Sequence, residues 1–149
     1  MEHKEYNLQK AVCKYLEAQY PSVLFLSDTV ASVKLTAMQG VRNKAIQKKG
    51  FKTPDLIILK PNNSFHGLFI ELKTESPYKK DGTIKVSQND HLKLQEETLI
   101  ELNKLGYLAC FAWEFETIKQ ILDMYLSIQS VEHKPFKAIA SVPKNIRPC

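Results

Sequence analysis

The sequence predicts an α/β (α+β) domain in which helices flank a mixed β-sheet, with elements in the order α-β-β-β-α-β-α. Three observations carry this prediction. Two β-rich apolar runs, Leu56-Ile57-Ile58-Leu59 and Leu68-Phe69-Ile70, are separated by Lys60-Pro61-Asn62-Asn63-Ser64, a cluster of turn formers, and together read as a hairpin. Apolar residues recur at helical spacing near both ends of the chain, first as Leu8, Val12, Tyr15 and Leu16 and again as Phe115, Ile118, Leu122 and Tyr125. Between them a third helical stripe, Leu92, Leu99, Leu102 and Leu105, leads through Gly106 into the strand-like run YLACFAW.

Taken in order, the first helix spans Glu5 to about Tyr20 and is stopped by Pro21. VLFLSDTVAS, from Val23, is short and β-rich and reads as a strand leading to an edge or a turn. KLTAMQGVRNKAIQKKGFK is polar and basic, a surface loop with a short helical piece ended by Gly50. The hairpin strands run from Asp55 to Leu59 and from Phe65 to Lys73. TESPYKKDGTIK follows as a loop expected to be mobile without a partner, and the next helix opens near Asn89 or Asp90. From Glu132 onward the chain has prolines and no periodicity, so residues 1–130 form one expected domain and residues 131–149 an irregular tail.

A chain of 149 residues with 44% apolar composition supports one core. A net charge of +5 suits an anionic partner. Cys13, Cys110 and Cys149 are odd in number and far apart, so neither a disulfide framework nor a zinc-ligand spacing can be read from them; the first two lie in apolar runs and are expected as buried thiols. The charged opening MEHKEYNLQK is no secretory signal, and no apolar run reaches transmembrane length. A reducing cytoplasm, with no membrane partner, is the expected location.

Charges stand where a sheet interior should have none. In an extended strand Phe69, Glu71 and Lys73 share one face while Leu68, Ile70 and Leu72 share the other. Asp55 opens the neighbouring strand just after Pro54, and a hairpin can bring it close to Glu71. Two carboxylates about 4 Å apart repel by roughly 4 kcal/mol at an effective dielectric near 20, and a bound cation relieves this. Oxygen ligands select Mg²⁺ or Mn²⁺, with waters and phosphate oxygens completing the shell. A lysine two residues from such a ligand can hold the attacking water and stabilise charge on phosphorus, a combination that points to phosphodiester hydrolysis. The plainer alternative is a strand-end ion pair between Glu71 and Lys73 with no chemistry. Against it stands the expense of burying both groups unless they are used or paired. Glu5 and Gln95 lie on the apolar stripes of their helices and should face the sheet.

Thr53-Pro54-Asp55 followed by Ile70-Glu71-Leu72-Lys73 resembles the PD-(D/E)xK nuclease motif, and the surrounding sequence resembles one branch of that superfamily, the VRR-NUC domain. KKGFKTPDLIIL is similar to the branch's basic, glycine-containing lead into the aspartate. FHGLFIELK is similar to its second strand, and LQEETLIELNKLGYLACFAWEFETIKQIL to its glutamine helix, following strand and final helix. The similarity covers about Glu5 to Tyr125. It departs at Phe51-Lys52-Thr53, which stands between Gly50 and Pro54 where members often have a shorter glycine-valine step.

The resemblance implies a restriction-endonuclease-like sheet. It implies that Asp55 and Glu71 ligate Mg²⁺ or Mn²⁺, that the Leu72 carbonyl adds a third ligand, and that Glu5 holds the metal directly or through water. Lys73 would be the catalytic lysine and Gln95 would support the site. Standalone domains of this kind resemble those of phages. This implies a homodimer acting on DNA, including branched DNA such as Holliday junctions, in replication, recombination or repair. Arg42, Lys44, Lys48, Lys49 and Lys52 before the site, and Lys79, Lys80 and Lys85 after it, could then receive phosphates. A non-catalytic junction-binding module, a nuclease acting on RNA and a subunit needing a partner stay open as alternatives.

Overall fold

The computed structural model describes residues 4–27, 36–85 and 90–128; the tail from Glu132, Asn89 and Cys149 lie outside them. Its elements are α1 (Lys4–Gln19), β1 (Phe25–Ser27), α2 (Ala37–Ile46), β2 (Leu56–Ile58), β3 (Leu68–Lys73), α3 (His91–Lys104), β4 (Leu108–Trp113) and α4 (Phe115–Ser127). The four strands lie side by side in chain order, antiparallel from β1 to β3, with β4 parallel to β3. A parallel neighbour needs a crossover, and α3 supplies it. No helix among the described residues is long and apolar enough to cross a membrane.

The expected short helical piece is a ten-residue helix, α2. Thr36 caps it, accepting from the Gln39 N–H while the Gln39 side chain accepts from the Thr36 N–H, yet the helix buries no residue. Its apolar residues Met38, Val41 and Ile46 are all exposed and stand among basic and polar ones, which is why the sequence reads as a loop with only a short helical piece. The expected mobile loop is ordered over its described part, folding back as a small hairpin with a bridge between Tyr78 and Ile84.

One side of the sheet holds the main core. Leu56, Ile58, Leu68, Ile70 and Leu72 point toward Val12 and Leu16 of α1 and Ile118, Leu122 and Tyr125 of α4. The other side is covered by α3, whose Leu99 and Leu102 pack with Ala109 and Phe111. Glu71 therefore faces α3, while its neighbours on either side face α1 and α4. Cys13 and Cys110 are half-buried free thiols rather than fully buried ones, and burial pushes the Cys110 thiol up to about 11.

The β2–β3 turn is fixed from within. The Asn62 side chain accepts from the Ser64 and Phe65 N–H groups at 2.9 Å each and donates to the Tyr125 carbonyl at 3.3 Å. The Tyr125 hydroxyl donates to the Lys60 carbonyl at 2.7 Å, tying turn and α4 together. Gly106 ends α3 at φ +85, and a Cβ there would meet the His66 ring at 2.9 Å. Asn62→Ala removes the acceptor of the Ser64 and half-buried Phe65 N–H groups and the buried bond to Tyr125, and should cost about 1–2 kcal/mol. Thermal unfolding should show a Tm lower by about 5 °C, while Asn63→Ala, at the exposed neighbouring position, should leave it unchanged.

Candidate active site

The site begins where the β2–β3 ladder stops. Leu56 pairs with Ile70, so one step further the register sets Asp55 opposite Glu71 and Pro54 opposite Leu72. Proline has no N–H for a ladder. The Asp55 side chain takes over: its Oδ2 accepts the Leu72 N–H at 2.8 Å, which holds the carboxylate beside the end of β3.

Glu71 is 3% exposed, and its Oε1 accepts from Lys73 Nζ at 2.9 Å and from the Gln95 side-chain amide. Gln95 is buried on α3 and not a half-exposed shoulder. Lys73 lies at the solvent end of β3 with 17% of its side chain exposed, and its Nζ is 3.8 Å from Glu5 Oε1. Glu5, in the first turn of α1, does reach the site, but from solvent, with its side chain 58% exposed. Burial pushes the Glu71 carboxyl up to about 7, helped by the nearby Asp55 and Glu5 charges and opposed by Lys73.

The structure thus brings Asp55, Glu71, Leu72, Lys73, Gln95 and Glu5 to one end of the sheet. Of the cations noted in the sequence, Lys85 shares a cleft with Glu5 and Lys73, and Lys52 comes near on the α3 side. Its N–H donates to Thr98 Oγ1 of α3 at 3.1 Å, and it lines a cleft of about 440 Å³ with His91 and Lys93. Arg42 and Lys44 on α2, Lys48 and Lys49 just after it, and Lys79 and Lys80 on the small hairpin are exposed. None of these six forms an ion pair among the described residues.

Sequence reasoning missed Gln9 and His91. Gln9 Nε2 donates to Ser27 Oγ at 2.8 Å and to the Asp55 carbonyl at 3.3 Å, which pins α1 to both β1 and the start of β2. The available signal was its spacing, one turn after Glu5 on the same face. His91 opens α3, and its pKa is lowered by partial burial and by the Lys52 and Lys73 charges, against Glu5. Nothing in its sequence neighbourhood marks it.

Among the described residues, no three of His, Cys, Asp and Glu converge into a ready-made metal cage. The donor set instead fits a largely hydrated hard cation, which takes one or two carboxylates and keeps several waters. Two observations favour that fit. Burial first and the Asp55 charge second make the Glu71 carboxylate costly to ionise, a cost that a cation would relieve. Gln95 Oε1 is buried without a hydrogen-bond partner among the described residues, so it can accept from a water bound there.

No protein-family model matches the chain, and no curated protein matches it. Among solved structures, a VRR_NUC domain protein matches with a TM-score of 0.60 and 21% identity, over 87% of this chain and 93% of that one. The chain therefore has the VRR_NUC fold, and the mixed sheet with flanking helices is the nuclease-like architecture expected.

Glu71 has a folded pKa of about 7 against an ordinary 4.5, so the stability it allows below pH 4.5 is lost as pH rises through 7. Glu71→Gln does not titrate. In metal-free buffer the variant should gain on the parent between pH 5 and pH 8 by on the order of 2 kcal/mol. Paired thermal melts at the two pH values check this, and a constant difference would contradict it.

Proposed function

We propose that this chain, which carries the VRR_NUC fold, is a Mg²⁺- or Mn²⁺-dependent endonuclease that hydrolyses DNA phosphodiester bonds. The observation that carries this reading is the convergence of Asp55, Glu71 and Lys73 where the β2–β3 ladder gives way to a side-chain bond. Asp55 and Glu71 would hold the metal, with the Leu72 carbonyl and Glu5 as further ligands. When bound, the metal would polarise the phosphate and make its water a better nucleophile.

The side chains then divide the work. Lys73 Nζ, beside Glu71 and open to solvent, orients the attacking water and donates to a non-bridging phosphate oxygen as negative charge builds up. A new O–P bond forms from water, which gives up a proton to solvent, as the bond to the leaving oxygen breaks and that oxygen picks up a proton from solvent. Gln95 keeps the buried Glu71 in place through its amide N–H and offers Oε1 to water. Gln9 holds Asp55 through its backbone carbonyl.

The finer reading is a homodimer cutting branched DNA, Holliday junctions among them, during phage replication, recombination or repair in the bacterial cytoplasm. A junction has two strands to cut, and one small domain offers one site. Arg42, Lys44, Lys48, Lys49 and Lys52 would contact phosphates on one side of the site and Lys79 and Lys80 on the other.

Labelled Holliday junction, flap, single-stranded and duplex DNA, each with Mn²⁺, Mg²⁺ or EDTA, test this reading. Cleavage should vanish in EDTA, and Asp55→Asn and Lys73→Ala should each slow it by about 10²–10³-fold or more while remaining folded. Parent-like cleavage by either variant would sink the mechanism. DNA binding without cleavage in either metal would favour the junction-binding module.

A further inference from the structure

The segment after the candidate site is built more tightly than a solvent loop requires. Tyr78 bridges to Ile84, and the Lys79 N–H donates to the Thr83 carbonyl at 2.8 Å. The Gly82 N–H donates to the Lys79 carbonyl at 3.0 Å, and Asp81 Oδ1 accepts from both the Thr83 N–H and its hydroxyl. At the base, the Lys85 N–H donates to the Pro77 carbonyl at 2.8 Å. The Tyr78 ring lies edge-on to Phe111 and Trp113, with centroids 5.9 and 6.3 Å away. Everything from Lys79 to Thr83 is exposed.

The result is a projecting hairpin with Lys79 and Lys80 at its tip, rooted in the α3 side of the sheet. Between its base and the site lies a cleft of about 160 Å³, lined by Glu5, Lys73, Glu75 and Lys85 among others. Lys85 is only loosely paired there, 3.8 Å from the exposed Glu75. Six residues of chain hold Lys79 within about 20 Å of Lys73, roughly six base steps of 3.4 Å along one DNA strand. The side-chain entropy of two lysines is ordinarily a cost of gripping phosphate, and a backbone already folded lowers the rest of that cost.

We propose that the Tyr78–Ile84 hairpin is a pre-ordered basic finger that grips the DNA phosphate backbone on one side of the scissile bond and thereby sets where the site engages the strand. This rests on the reading of the chain as a DNA nuclease. Its ligand is the phosphodiester backbone, and it reads no base. Two lysines and the fold of the hairpin contribute separately, so they can be removed separately.

Binding of labelled branched DNA, measured across a salt series in an Asp55→Asn background so that nothing is cut, tests the finger. Replacing Lys79 and Lys80 together by Ala should flatten the slope of log affinity against log salt by about 2. Lys104→Ala, at the far end of α3, should leave it unchanged. Gly82 has φ +82 with nothing within 4 Å of an added Cβ, so Gly82→Ala perturbs the backbone alone. A one-bridge hairpin is only marginally stable, and the variant should bind about 5-fold more weakly or worse with the slope preserved. An unchanged slope in the double variant overturns the finger, and parent-like affinity in Gly82→Ala overturns its pre-ordering. If the slope falls but the parent cleaves no DNA in Mn²⁺ or Mg²⁺, the finger stands and the nuclease reading fails. If the parent neither cleaves nor binds DNA, both fail.

Discussion

The arrangement turns on a single buried carboxylate. Glu71 sits on an inner strand, almost sealed from water, between Ile70 and Leu72 of the main core. An ionised group in that position is costly unless its oxygens are met by donors or cations. Lys73 and Gln95 meet it within the chain. Asp55 adds a second charge instead of relieving the first, and so raises the cost of ionising Glu71 further.

Four separate elements serve that one residue. β3 carries it, β2 delivers Asp55, α3 delivers Gln95, and α1 brings Glu5 from the solvent side while Gln9 ties the helix down. The core on the far side of the sheet makes this dependable. Leu68, Ile70 and Leu72 are wholly buried against α1 and α4, so β3 cannot rotate without exposing them. Rigid aliphatic packing on one face thus fixes polar geometry on the other.

Much of this was legible in the sequence because it rests on alternation and periodicity. The hairpin runs, the apolar stripes of α1, α3 and α4, and the opposite faces of Ile70 and Glu71 follow from periods of 2 and 3.6. Asp55, Glu71, Lys73 and Gln95 stood out as polar residues on inward or strand positions. α2 read only as a short helical piece in a loop because its few apolar residues, Met38, Val41 and Ile46, stand among basic and polar ones, and a capping box at Thr36 is a weak sign in such a stretch. Gln9 was passed over because its only sign in the sequence is its spacing from Glu5, while its role depends on Ser27 and Asp55, far away in the chain. The hairpin at Tyr78 was read as mobile because glycine, proline and charge suggest a loop, while its anchor is a ring contact with β4.

The pairing of β2 with β3 also limits how such a domain can change by descent. Inserting or deleting one residue ahead of Glu71 within β3 would turn the carboxylate into the aliphatic layer and swing a leucine toward the α3 side, since the side-chain period is two. Core and chemistry would be lost in one step. Viable length changes in this strand are therefore restricted to pairs of residues or to the turn at Asn62, where added chain can loop out. Lineages carrying this domain should vary at the exposed Asn63 while keeping Asn62 and the spacing from Asp55 back to Pro54 and from Glu71 on to Lys73.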